Sequence, residues 1–132
     1  MKRSLSYSIA ALLLVLISCD YKPRNQGRVL YEKECQSCHM ENGQGLGKLI
    51  PPVAKSDYVV NHREGIACLI RNGIEGEMMV NGQLYTGKMA GNSQLTEIEI
   101  NNLVHYILVD LNDQKDPYQI SEVRAQLERC KQ

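Results

Sequence analysis

Two cysteines and a histidine stand close together in the first third of the chain, as Cys35-Gln-Ser-Cys38-His39. On a helical segment these three side chains share one face, because residues three and four positions apart are neighbours. Two thiols at that spacing can add to the two vinyl groups of one haem, and the adjacent imidazole then meets the iron from the same side. The pattern is the attachment signature of a c-type haem.

Three other chemistries also use a Cys-x-x-Cys pair. A thioredoxin-like motif would open a helix after a buried strand, whereas residues 27–34 before Cys35 have a helical pattern. A zinc site would need a second pair of ligands. The scattered residues that could supply that pair are His62, Cys68, His105 and Cys130. A simple disulfide framework is the third alternative, and the pentapeptide favours covalent haem over all three.

The chain around the pentapeptide resembles class I cytochrome c. Gly27 and Tyr31 precede the motif at intervals of four, as the family's N-terminal helix has a glycine and an aromatic residue, and Leu103 and Tyr106 look like its C-terminal partners. The similarity covers residues 27–111. It implies an all-α cytochrome c fold with three to five helices around one covalently bound haem c, and a close crossing of the first and last helices of the domain.

The resemblance also implies how the axial histidine is oriented. In the family a proline carbonyl downstream accepts a hydrogen bond from the second nitrogen of that histidine, which fixes the ring orientation and tautomer. Pro51 matches this position better than Pro52, with Val53 in place of the family's leucine. The alternative is that Pro51 only stiffens a loop.

The sixth ligand of the iron is implied by the order of residues before the last helix of the domain. In the family the axial methionine follows a stretch like Asn81-Gly82-Gln-Leu-Tyr85 and precedes a helix start like Leu95-Thr-Glu. Met89 fits that order, so the resemblance implies iron bound by His39 and Met89. Ala90 stands where the family usually has proline. The alternative ligands are Met78, Met79, His62 and His105.

Patterning along the chain predicts the elements that must position these residues. Apolar side chains at helical spacing predict one middle helix over residues 57–72, and Gly73 stands where it would end. Asn81-Gly82 is the strongest turn signal and predicts a short β-hairpin near residues 78–86.

Two more helices are predicted towards the C-terminus. Thr96-Glu-Ile-Glu99 is a capping box, and the apolar pattern after it predicts a helix that runs to about Asp110. After a polar break, residues 121–131 predict a short helix with Ser121 or a nearby residue as its cap. Residues 112–132 are therefore predicted to be a helical extension of the cytochrome-like domain.

The first residues read as a targeting signal. A short basic start precedes an apolar run over residues 9–17, which is far below the roughly 20 residues that span a bilayer and has the length of a signal-peptide core. The run ends in Leu-Ile-Ser-Cys19, which resembles a bacterial lipobox. We predict a lipoprotein signal peptide over residues 1–18, a diacylglycerol thioether on Cys19 and a lipidated tether over residues 19–26. The alternative is an ordinary secretory signal with a chance cysteine.

The five cysteines leave one pair without a role. One is assigned to lipid and two to haem, so Cys68 and Cys130 remain. In an oxidising envelope two free thiols tend to bond, which predicts a Cys68–Cys130 disulfide. The alternative is two buried or reduced thiols.

Composition limits the classes of function. The chain has 132 residues, a single-domain length, and its 15 Lys and Arg balance 15 Asp and Glu. A net charge of zero gives no strongly basic surface, which proteins need to displace the counterions of nucleic-acid phosphates. We therefore expect no nucleic-acid partner. The seven aromatic residues are all tyrosine, and a buried porphyrin would supply core that Phe and Trp do not.

These features together predict a membrane-anchored monohaem cytochrome c that carries single electrons and performs no bond chemistry of its own. Its partners would be redox proteins of a respiratory chain or oxidoreductase, in a bacterial envelope and facing the periplasm. A haem enzyme or gas-binding sensor is the alternative, and it would need an open distal site. A third possibility is a small subunit of a larger oxidoreductase.

Overall fold

The computed structural model describes residues 25–116 and 118–130. The predicted signal peptide (1–18), the predicted lipidation site Cys19 and residues 19–24 of the predicted tether lie outside the described residues. The tether ends earlier than predicted, because Asn25 caps the first helix and Gln26 begins it. Within the described ranges the elements are helices α1 (Gln26–Glu34), α2 (Gln36–His39), α3 (Asp57–Asn61), α4 (Ile66–Asn72), α5 (Glu97–His105) and α6 (Ile120–Arg129), and strands β1 (Gly73–Glu75), β2 (Met78–Val80), β3 (Gln83–Tyr85) and β4 (Lys88–Ala90). No helix in these ranges is long and apolar enough to cross a membrane.

The predicted all-α class is confirmed, with more helical pieces than expected. The described residues contain six α-helices where three to five were expected. The difference arises because the attachment motif forms a short helix of its own, α2, and because the predicted middle helix is divided. The strands form two antiparallel pairs of three residues each.

Helices α1 and α5 cross at close range. A Cβ atom added to Gly27 would fall on the Asn102 carbonyl oxygen and within 2.6 Å of the Tyr106 Cβ, so only glycine allows this approach. Tyr31 and Leu103 are fully buried at the crossing, and the Tyr31 and Tyr106 rings lie 5.5 Å apart, centroid to centroid. The crossing that the resemblance implied is therefore present, and it fixes the helix that leads into the attachment motif.

The predicted middle helix over residues 57–72 is wrong as a single element. It is divided into α3, a 3-10 turn over Arg63–Gly65, and α4. The backbone leaves helical geometry at His62 (φ −114°, ψ 27°). The Arg63 carbonyl and the Ala67 amide, which would pair in a continuous helix, bond instead to side chains of the C-terminal segment. The predicted end at Gly73 is confirmed, with φ 78° at that residue.

The predicted hairpin is confirmed as β2 and β3. Asn81 and Gly82 join them with φ values of 50° and 74°, which is the geometry of a type I′ turn. The second pair, β1 with β4, was not predicted from sequence. It places Ile74 opposite Met89, so the strand that follows α4 pairs with the strand that carries the candidate axial methionine.

The C-terminal helices share the core of the domain. The capping box of Thr96 and Glu99 is confirmed at the start of α5. After His105 the chain continues as a π-helical turn, Tyr106–Asp110, so the last turn is wider than predicted. Helix α6 begins one residue before Ser121, with Gln119 at the N-cap position, and the Gln119 amide donates to Glu122 Oε2 at 2.7 Å. The fully buried core side chains include Tyr31, Ala67, Ile100, Leu103, Val104, Leu108 and Val123.

Candidate functional site

The attachment motif lies where α1 ends and α2 begins. The Cys35 carbonyl accepts hydrogen bonds from the amides of Cys38 and His39, at 3.1 and 2.9 Å, and this tight turn brings the three residues together. Neither cysteine is in a disulfide; Cys35 is half-buried and Cys38 is exposed. Burial, followed by the neighbouring Glu34 carboxylate, raises the pKa of the Cys35 thiol to about 12. The thiol is therefore protonated at neutral pH before any covalent bond forms.

His39 is buried and its ring is oriented by one backbone contact. Its Nδ1 lies 3.0 Å from the Pro51 carbonyl oxygen. A carbonyl can only accept, so Nδ1 must donate, and Nε2 keeps the free lone pair that a metal needs. Burial lowers the pKa of His39, which the contact with Pro51 opposes. The net effect keeps the imidazole neutral, as metal binding requires.

The loop between His39 and Pro51 is held by short backbone contacts. Gly45 donates to the His39 carbonyl at 3.0 Å, and its φ of 70° lies in the region that favours glycine. A Cβ atom at Gly45 would meet the backbone of Ile50 and Pro51. Val53 donates to the Gly43 carbonyl at 2.8 Å. These contacts fix the path of the loop, and hence the position of the carbonyl that orients His39.

Two neighbouring cavities, of about 370 and 60 Å³, open beside the motif. Both are lined by Cys35, His39, Pro51, Met78 and Met89. The larger one also reaches the exposed Cys38. Most of the remaining side chains in the two linings are apolar, and they include Pro52, Val53, Val59, Ile66, Leu69, Ile70, Leu49, Ile50 and Ile74. The two cavities form one cleft that brings both thiols, the histidine and Met89 together.

The donor set of this cleft fits a haem. Cys35 and Cys38 are free thiols, and His39 has an unprotonated Nε2. Met89 supplies a thioether, a soft ligand that suits low-spin haem iron. The apolar lining matches the flat face of a porphyrin, and helices α1 and α4 and the Pro51 loop contribute to it. The residues present could therefore hold one haem through two covalent bonds and two axial ligands.

Of the alternative ligands named from sequence, Met78 lines both cavities as Met89 does, and the other three line neither. Met78 lines the cleft beside Met89, whereas the Met79 side chain is 56% exposed. His62 stacks on Tyr58, its Nδ1 lies 2.9 Å from the Tyr58 carbonyl oxygen, and it lines neither cavity. His105, the last residue of α5, does not line them either.

Cys68 and Cys130 are joined by a disulfide, with their Cα atoms 5.9 Å apart. Neither of them lines the cleft that holds Cys35 and Cys38, and residues 25–116 and 118–130 contain no cluster of three His, Cys, Asp or Glu that could hold a metal ion. The described part of the chain therefore lacks the second ligand pair that a zinc site would need.

The fold and the site together define a small c-type haem protein. A model of the cytochrome c family matches residues 25–109. The chain is 29% identical to one cytochrome c-552 of Thermus thermophilus over 133 residues, which cover 94% of this chain and 85% of that protein. It is also 29% identical to a second cytochrome c-552 of Thermus thermophilus over 100 residues, which cover 69% of this chain and 76% of that protein. The chain belongs to the cytochrome c family, and it is an electron carrier with one covalently bound haem c.

Sequence reasoning missed three residues that support the site. Asn112 donates to the Val53 carbonyl in the segment after Pro51. Tyr118 and Gln126 bond to the backbone groups left unpaired where the helix is interrupted before α4. Each is a polar residue in the C-terminal part of the chain, and no spacing rule marks it. Burial is the property that distinguishes Asn112 and Gln126 from the other amides, and it is not visible in the sequence.

Proposed function

We propose that this cytochrome c is a lipid-anchored monohaem carrier that shuttles single electrons between redox proteins of a bacterial envelope. Cys35 and Cys38 form the two thioether bonds, and His39 and Met89 are the axial ligands. One observation carries the proposal: the same apolar cleft is lined by both free thiols, by the oriented His39 and by Met89.

The chain's own residues orient the axial histidine and keep the cofactor site apolar. The Pro51 carbonyl fixes the His39 ring so that Nε2 points away from the backbone contact and stays available to iron. The apolar lining excludes water from the site, which limits the rearrangement that accompanies a change of charge. The bound haem supplies the reversible one-electron chemistry of iron.

Ligation on both sides favours electron transfer over bond chemistry. A His/Met pair raises the reduction potential and leaves no open coordination position for a small molecule. A haem held by Cys35, Cys38, His39 and Met89 would exchange electrons with larger proteins during weak, brief encounters. The exposed Cys38 lies at the part of the cleft that reaches solvent, which supports exchange there.

Ligand binding by the purified haem protein tests the axial pair. We expect the ferric protein to show the long-wavelength sulfur-to-iron charge-transfer band, and the ferrous protein not to bind CO. Met89→Ala should lose the band and bind CO. Met79→Ala is the matched control because that side chain is exposed, and it should keep the spectrum of the parent protein. Ready CO binding by the parent protein would instead favour a gas sensor or an enzyme with an open distal site.

Anchoring rests on Cys19 and on the short tether after it. The seven residues 19–25 that precede α1 reach at most about 25 Å when extended, so the haem domain would lie close to the membrane. Each buried methylene of the attached acyl chains adds about 0.8 kcal/mol to membrane binding.

Fatty-acid labelling of cells that express the chain tests the anchor. We expect the labelled acid to be incorporated by the parent protein and not by Cys19→Ser, while the haem spectrum is the same in both. Equal labelling of the two proteins, or a parent protein released by a salt wash, would overturn the anchor and leave the haem site unaffected.

A further inference from the structure

The interruption between the 3-10 turn and α4 is filled from the far end of the chain. In a continuous helix the Ala67 amide would donate to the Arg63 carbonyl. Here the Ala67 amide donates to Gln126 Oε1 at 3.2 Å, and the Arg63 carbonyl accepts from Gln126 Nε2 at 3.3 Å and from the Tyr118 hydroxyl at 2.7 Å. Gln126 is 2% exposed. Its side-chain amide thus replaces one peptide hydrogen bond of the helix.

Helix α6 holds α4 at two further points. The Cys68–Cys130 disulfide joins the two helices, and the Asn72 side chain donates to the Cys130 carbonyl at 3.2 Å. With Gln126 at the first turn of α4, the contacts extend from the beginning of that helix to its end. The C-terminal extension therefore fixes the position of α4 along its whole length.

Helix α4 in turn positions the strand that carries Met89. At Gly73 the chain passes from α4 into β1 without an intervening loop, and Ile74 pairs with Met89 across the β1–β4 ladder. A Cβ atom at Gly73 would fall on the Met89 carbonyl oxygen, so the two segments are in direct backbone contact.

The residues that follow Met89 are also bonded to α4. The Asn92 amide donates to the Ile70 carbonyl at 2.9 Å, and the Arg71 guanidinium donates to the Ser93 carbonyl at 2.8 Å. Met89 is therefore paired with β1 at its own position, and the residues that follow it are bonded to α4. A shift of α4 would move the candidate sixth ligand, because no flexible segment separates them.

We propose that Gln126 is a positioning residue for Met89, acting through α4 to hold the thioether at the iron. The inference rests on the proposed function, in which Met89 is the sixth ligand. Gln126 does not line the cleft. Its effect is on the free energy needed to move Met89 away from the metal.

Titration of the ferric haem protein with imidazole, which competes with Met89 for the iron, measures that free energy. We expect Gln126→Ala to bind imidazole about tenfold more tightly than the parent protein, equivalent to about 1.4 kcal/mol. Val123→Ala is the matched control, since it truncates a fully buried side chain of the same helix that makes no hydrogen bond to α4. Its imidazole affinity should stay within about twofold of the parent. Equal affinities for Gln126→Ala and Val123→Ala would overturn the inference.

A milder variant is needed in case Gln126→Ala does not fold. Tyr118→Phe removes the hydroxyl that donates to the Arg63 carbonyl and accepts from Gln126, while it keeps the ring under the Arg63 guanidinium. It should strengthen imidazole binding in the same direction as Gln126→Ala, by about threefold. If Gln126→Ala cannot be purified with haem, an unchanged imidazole affinity in Tyr118→Phe overturns the inference.

Met89→Ala separates this inference from the proposed function. If Met89→Ala binds imidazole as weakly as the parent protein, Met89 is not the ligand, and both the axial assignment and the role of Gln126 are overturned. If Met89→Ala binds far more tightly while Gln126→Ala behaves like Val123→Ala, the axial pair stands and only the positioning role of Gln126 is overturned.

Discussion

The side-chain nitrogen of Asn112 donates to the Val53 carbonyl oxygen at 2.7 Å, across 59 residues of sequence. The same side chain donates to the Ile107 carbonyl at 2.7 Å and accepts from the Ser56 amide at 2.8 Å. One buried amide thus joins the end of the last domain helix to the segment that follows Pro51. That segment follows the Pro51 carbonyl, which orients His39, so Asn112 acts on the site through the backbone.

Asn112→Ala should destabilise the protein by about 3 kcal/mol, because it leaves buried backbone groups without partners. Chemical denaturation of the haem protein measures the change. Asn61→Ala, at an exposed position, is the matched control and should stay within about 0.5 kcal/mol of the parent. A similar loss in both variants would mean that the three bonds of Asn112 do not stabilise the fold.

Gly27→Ala should separate α1 from α5 and cost about 3 kcal/mol, since the new Cβ would fall on the Asn102 carbonyl. Gly65→Ala is the control: nothing lies within 4 Å of its added Cβ and its φ is −116°. That variant should be more stable by about 0.5 kcal/mol through the unfolded state. Thermal denaturation of the two haem proteins measures the difference. An unchanged Tm for Gly27→Ala would contradict the close crossing.

Acid should weaken the start of α5. The Thr96 amide and hydroxyl both donate to Glu99 Oε2 at 2.8 Å, and these bonds, the backbone one first, lower the pKa of Glu99. A carboxyl whose pKa is lower in the folded state than in the unfolded state stabilises the fold at pH values above its ordinary pKa of about 4.3. That stabilisation is lost as the pH falls through the pKa of Glu99 in the folded state. Glu99→Gln should therefore be less stable than the parent at neutral pH, and the difference should disappear in acid.

Melting temperatures of the two proteins at about pH 7 and about pH 3 measure this difference. The haem contributes equally to both proteins, so it cancels in the comparison. Glu77→Gln, at an exposed position in a turn, should differ from the parent by the same small amount at both pH values. A Glu99→Gln difference that is constant with pH would show that the capping contact does not depend on the charge.

The Cys68–Cys130 bridge closes a loop with a sequence separation of 62. In the chain-entropy model a loop of that length contributes about 4 kcal/mol, so reducing the bridge should lower the free energy of unfolding by that amount. The double variant Cys68→Ser/Cys130→Ser should be equally destabilised and insensitive to dithiol reductants. Non-reducing mass spectrometry of the mature chain provides the direct check, and two free thiols would contradict the bridge.

Local signals account for the parts of the molecule that the sequence predicts well. The attachment motif, the capping box at Thr96 and the Asn81-Gly82 turn each depend on residues within five positions of one another. The backbone at such positions follows from hydrogen bonds and allowed φ angles that neighbours decide. For this reason the hairpin and the start of α5 could be predicted without knowledge of the fold.

The parts that failed depend on distant residues. The division of the middle helix requires Gln126, which lies 59 residues after Ala67. The β1–β4 ladder joins strands of only three residues, and without the fold nothing in their sequences shows that they pair. The cap of α6 was located only approximately, because glutamine is a rare N-cap residue and the common one, Ser121, lies two residues after Gln119.

Gln126 takes the place of one peptide hydrogen bond between Arg63 and Ala67. We therefore expect α4 and α6 to open together when the protein unfolds locally. The family match ends at residue 109, but the Ala67 amide can meet solvent only when α6 has left its place. In native-state hydrogen exchange, that amide should therefore share the opening free energy of α6. We therefore expect the segment that opens together with Ala67 to extend past residue 109, where the family match ends, to Cys130.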